Sequence, residues 1–72
     1  MPDIRLGDVF TRKMVNDAKA IMAKEPDYKQ ATVIDAQIIR PEMERINKVT
    51  GQQNLSRYFA YMLIHYITIS KV

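Results

Sequence analysis

Between Arg57 and Ile69 the chain reads RYFAYMLIHYITI, its densest apolar run and the home of three of its four tyrosines. A segment so apolar has to be covered by something, and the rest of the chain is short. Placed on a helix at about 100° per residue, Tyr58, Met62 and Ile69 fall together, and Tyr66, Phe59, Leu63 and Ile67 follow around the arc. Arg57, Tyr61, His65 and Thr68 form a narrow polar stripe, edged by Ile64 and Lys71. The apolar arc takes up roughly half the circumference or more, wider than the ~100° stripe of a surface helix. Such a helix is either central to the fold or partly given over to a subunit interface.

Two other readings of this run are weaker. A bilayer span needs about 20 apolar residues, and His65 and Thr68 interrupt a shorter run, so no membrane span is expected. LIHYITIS is rich in β-branched and aromatic residues, as strands are. Yet its apolar residues occupy both alternation sets, and no Gly or Pro follows Gly51. Helix is favoured, with an extended tail after Thr68 as a variant.

The length turns this surplus of apolar surface into a question of stability. A chain of 72 residues buries only about 60% of its unfolded surface, and chains of this size lean on disulfides, metals or oligomerisation. There is no cysteine and one histidine, so neither disulfides, thiolate metal sites nor a His-rich site can serve. No cofactor or metal is expected, and self-association or a larger partner is the route left. The start, MPDIRLGD, lacks a basic n-region and an apolar h-region, so a secretory signal is not expected and the reading is cytoplasmic.

Net charge is a mild +3, but it is unevenly placed. Residues 1–44 hold seven basic and eight acidic side chains, net −1, whereas Arg45, Lys48, Arg57 and Lys71 follow with no acid, net +4. A basic C-terminal part invites an acidic protein, a nucleic acid or an anionic surface. Four cations in that length more often form a solvated face.

Taken in order, residues 1–7 read as an extended arm, since Pro2 and Gly7 discourage helix. Asp8 stands where an N-cap belongs. From Val9 to Lys24 the pattern is amphipathic: Phe10, Met14, Ala18 and Ile21, with Val15 and Met22, share one face. Glu25-Pro26-Asp27 ends that helix, because a residue before proline is pushed out of the helical region. Asp27 and Gln30 match a capping box for a second helix near Tyr28, with Ala31, Ile34 and Ile38 as its buried line. Pro41 has no amide to give, and beyond it Met43, Ile46 and Val49 continue on a face turned by roughly 80°. Residues 28–50 are therefore two helical pieces or one helix kinked near Arg40, with a strand over 31–39 as the rival. Lys48 and Gly51 make a C-terminal stop, and Asn54 or Ser56 caps the last helix. The expected architecture is all-α: a small three-helix bundle, or four pieces if broken at Pro41, with an N-terminal arm and helices over 8–25, 28–50 and 54–70.

Catalysis requires a poised proton-transfer group and a partner to orient it. His65, one turn after Tyr61, is the sole histidine candidate, and a half-buried packing role is the commoner fate of such a residue. Glu42 and Glu44 are two apart and do not face each other on a helix; with Asp35 they show no metal-loop spacing. No Gly-rich phosphate loop exists. For nucleic acid, Arg57-Tyr58-Phe59 with Tyr61 sets aromatics beside a cation, and a helix-turn-helix across 28–50 would present Arg40, Arg45 and Lys48. It lacks the turn glycine, and Glu42 and Glu44 would repel phosphates. The expectation is a non-enzymatic helical interaction protein (a regulator, adaptor or accessory subunit) that self-associates as a homodimer or larger, or docks on another protein. Its contact surface is expected at Tyr58, Phe59, Met62, Tyr66 and Ile69, with Arg57 and Tyr61 at the rim. A small nucleic-acid-binding protein is the alternative.

Overall fold

The computed structural model describes residues 5–53 and 55–70, and these are helical apart from short connections. Both stretches with strand-like composition, 31–39 and the end of the apolar run, are helical, and no strand occurs among the described residues. The architecture is all-α, as the periodicity requires. Among the described residues there are five α-helices, α1 (Leu6–Val9), α2 (Arg12–Lys24), α3 (Asp27–Ile34), α4 (Met43–Thr50) and α5 (Ser56–Ser70), and two turns of less common kinds link α3 to α4.

The first departure from expectation is at the N-terminal end. Residues 1–4 of the anticipated arm lie outside the described residues; Leu6 and Gly7 are not extended but open a single helical turn, α1. Asp8 is inside that turn and caps nothing. Phe10 and Thr11 are extended, and α2 starts only at Arg12, with the Thr11 hydroxyl accepting the Met14 amide at 3.2 Å. The break has a packing reason. It turns the chain between two neighbouring core residues, so that Val9 and Phe10 are both buried. It also strips the Val9 carbonyl of a helical partner, and the Arg45 guanidinium donates to that oxygen at 2.6 Å from 36 residues away. The same guanidinium pairs with Glu42 at 3.3 Å.

The junction of α2 and α3 is close to expectation. α2 buries Met14, Ala18 and Ile21 and stops at Glu25, ahead of Pro26. The expected capping box does not form: Pro26 holds the N-cap place with no side-chain cap bond, Asp27 is the first residue of α3, and Gln30 plays a different part. Its amide nitrogen meets Asp27 Oδ1 (3.2 Å) and also the carbonyls of Glu25 (3.1 Å) and Met22 (3.2 Å). A buried side chain thus satisfies carbonyls that the end of α2 leaves free.

Pro41 sets the geometry that follows. Its ring crowds the carbonyl four residues back, and it offers no amide. The chain answers by widening and then tightening. Asp35–Ile39 form a π turn, in which the Arg40 amide reaches back five residues to Asp35. Arg40–Glu42 form a 3-10 turn, in which the Met43 amide reaches back three to Arg40. Helix continues through the proline instead of breaking into separate pieces. The change of pitch rotates the buried stripe, burying Ile34, Asp35, Ile38 and Ile39 before the proline and Ile46 after it.

α4 ends at Gly51, which takes the left-handed conformation (φ 73°) and returns its amide to Asn47 at 2.8 Å, as a C-terminal glycine stop should. Of the two caps expected for the last helix, Asn54 lies outside the described residues, and Ser56 is the first residue of α5, not its cap. Leu55 holds that place, its carbonyl accepting the Phe59 amide at 3.0 Å. α5 then packs across α2, α3 and the π turn, while α4 rests on α1. The radius of gyration, 11.6 Å, is near the roughly 11 Å of a compact chain of this length, so the core is one.

Because Thr11 caps α2 and Asp8 does not, the two side chains should respond differently to truncation. Thr11→Ala is expected to cost about 1 kcal/mol in urea unfolding. Asp8→Ala, on an exposed position, should stay within about 0.5 kcal/mol. Equal losses would contradict the observed start of α2.

Candidate functional site

The residues singled out on α5 do not share one face. Phe59, with Ala60, Leu63 and Ile67, points into the chain's own core and has no exposed surface. Tyr66 is half-buried and lies against Phe10, the ring centroids 6.0 Å apart. Both were expected to anchor a contact surface; both pack within the chain itself. The reason is the width of the apolar arc. Its inner half is what the core uses, and periodicity alone cannot tell which half that is.

The outer half is what remains. Tyr58, Tyr61 and Ile69 are 59%, 57% and 49% exposed. Arg57, His65 and Thr68 are exposed beside them, and Met62 is half-buried at the edge. This face is held in place from within. The Tyr58 ring meets the edge of Phe59 at 5.9 Å and 71°, and the Arg57 guanidinium lies 6.0 Å from the Tyr61 ring centre. Aromatic pairs in this geometry add about 0.5–1.5 kcal/mol beyond area burial, enough to restrict an exposed ring. Thr68 and Ser70 return their hydroxyls to the carbonyls of Ile64 and Tyr66 (2.8 and 2.6 Å).

Beside this face, α2, α3 and α5 leave an open cleft of about 550 Å³, floored by Met22, Ala31 and Ile64 and rimmed by Lys19, Tyr28 and Tyr61. Gln30 lines it, but its amide nitrogen is already taken by three acceptors. A smaller cleft near α2 holds the Lys13–Asp17 ion pair at 2.9 Å. The hydrogen bond and charge of Asp17 raise the Lys13 ammonium above its ordinary pKa.

The titratable groups do not gather. His65 is exposed instead of half-buried, and no hydrogen bond joins it to Tyr61 among the described residues. No three His, Asp or Glu side chains converge as metal ligands would, again among the described residues. The cations of the acid-free part are partly occupied: Arg45 by Val9 and Glu42, and Lys48 by Glu44 at 3.8 Å. One residue was not foreseen. Asp35 is buried in the π turn, 3.8 Å from Arg40 Nε and with Oδ1 lacking a hydrogen-bond donor. Its position within the Ala31–Ile38 stripe was the available signal.

No family model, curated protein or solved structure matches this chain. No helix among the described residues is long and apolar enough to cross a membrane.

The split of α5 into two faces gives a direct expectation. Phe59→Ala should lower unfolding stability by about 3–5 kcal/mol, as truncation of a core phenylalanine does. Tyr61→Ala, on the outward side, should change it by less than about 1 kcal/mol. Comparable losses at the two positions would show that the outward face is needed for folding.

Proposed function

We propose that this protein is a small non-enzymatic helical interaction module, a regulator, adaptor or accessory subunit, that self-associates through the outward face of its last helix. One observation carries the reading: two tyrosines and an isoleucine stand half-exposed in a row on the most apolar helix of the chain, on a face with one cation, Arg57, and no acid. Tyrosine combines a large apolar body with a polar tip, which is why it concentrates binding energy at interfaces. Isolated exposed apolar residues need no explanation, but a contiguous patch on a small chain marks a contact site. The nucleic-acid alternative draws less support. Arg45 and Lys48 are engaged with acids, and Arg57 remains as the cation of the C-terminal part that is paired with none among the described residues.

Light scattering after size exclusion, run across a wide range of concentrations, tests the proposal. The expected result is a reversible dimer or larger species that Tyr58→Glu converts to a monomer of unchanged helicity by circular dichroism. A folded wild-type monomer at every concentration would count against self-association. An unchanged assembly state in the variant would place the contact elsewhere.

A further inference from the structure

The outward residues of α5 are ordered in a way that a second copy of the same helix can match. Tyr58, Met62, His65 and Ile69 follow one another in steps of four, three and four residues, the spacing of a seam between paired helices. That spacing is symmetric about a level between Leu63 and Ile64. Reversing the helix end for end therefore superimposes the row on itself. An isologous two-fold contact requires this property, because residue i must meet residue j while j meets i.

Charge selects the direction. Arg57 stands in the first turn of α5, which has no acid, so its charge opposes the positive end of its own helix dipole. In a parallel pair Arg57 would also meet its own copy. In an antiparallel pair it reaches the last turn of the neighbouring helix, where free carbonyls form the negative end.

Size is consistent with such a partner. The exposed parts of Tyr58 and of Tyr61, which flanks the row, hold back roughly 200–250 Å². With Met62, His65 and Ile69 this surface suits an interface at the low end of the specific range, below about 1,200 Å² in total. A contact of that size forms reversibly, without the large buried surface of an obligate dimer.

Resting on the self-association reading above, we infer that two copies pair through α5 in antiparallel fashion about a two-fold axis. Tyr58 then lies across from the partner's Ile69, and Met62 across from the partner's His65. Thr68, which neighbours the seam, is turned back onto its own helix at Ile64 and stays at the flank.

Single cysteines test the arrangement without interference, since the chain has none of its own. Tyr58→Cys and Ile69→Cys are both on exposed positions, and each variant is first checked for native helicity. They are then oxidised separately and as an equimolar mixture, at a concentration where light scattering shows association. The antiparallel pair predicts a disulfide dimer that forms at least tenfold faster in the mixture than in either variant alone. Residue 58 would lie some eleven residues from its own copy along the axis, about 16 Å, too far for a disulfide. Fast homodimers of each variant would overturn the antiparallel arrangement while keeping α5 as the contact. An associated protein that forms neither disulfide would overturn both the arrangement and the use of this face. A monomer throughout would overturn self-association itself, and this inference with it.

Discussion

Phe59, Ala60, Leu63 and Ile67 form the surface that α2, α3 and the π turn all share, and none of the four is more than 1% exposed. A chain with no disulfide has to draw its stability from burial, at roughly 25 cal/mol per Å² of apolar surface removed from water. The inner row of α5 is where that burial is concentrated. The elements packed on this row contribute Met14, Ala18 and Ile21 from α2, and Ile34, Ile38 and Ile39 from α3 with the π turn, to the same core cluster. Among the described residues, 13 buried apolar side chains make one cluster, so loosening α5 would release all of them together.

Two local irregularities serve that packing. The π turn before Pro41 looks like a defect of the helix, yet neighbouring residues on it, Ile38 and Ile39, are both buried. Adjacent side chains on a helix are about 100° apart, so burying both needs neighbours over a wide arc, as Phe59 and Ala60 of α5 also have. Across the extended link at Phe10 and Thr11, Val9 and Phe10 are likewise both buried. Each irregularity frees backbone groups, and the chain meets one such need with Arg45. Its guanidinium is long, always charged and able to donate in several directions, so it can serve Val9 and Glu42 at once. An arginine that reads in the sequence as part of a basic patch is, in the fold, a tie between α4 and the end of α1.

Much of this was legible beforehand, and the misses share a cause. Helix class, the stops at Glu25 and Gly51, the buried line of α2 and the disturbance at Pro41 are local properties, set by residues within a turn of one another. Asp8 and Thr11 are both good caps, and local chemistry does not choose between them; burial of Val9 together with Phe10 does. Asp35 sits on an apolar stripe, but its burial follows from a π turn whose pitch differs from the 3.6-residue count used to draw the stripe. Phe59 and Tyr58 are neighbours on one wide arc, and which of them faces inward depends on where α2 and α3 lie. Long-range packing decided each of these, and helix periodicity does not contain it.

The same reasoning explains why the outward face of α5 remains apolar. A helix needs only a ~100° stripe to hold a small core, and the inner row already provides it. The core does not call for tyrosines at 58 and 61 or isoleucine at 69; by helix propensity, lysine or glutamate would serve an exposed position as well or better. Exposed apolar surface also carries a standing cost in nonspecific association. The exposure of these residues is what the proposed reading of this face as a contact surface accounts for. On α5 the neighbouring groups agree: Tyr58 is braced on Phe59, Arg57 on Tyr61, and the Thr68 hydroxyl is folded away. On that proposal, a face already held in shape would lose less conformational entropy on binding, so that even a small contact area would give specific association.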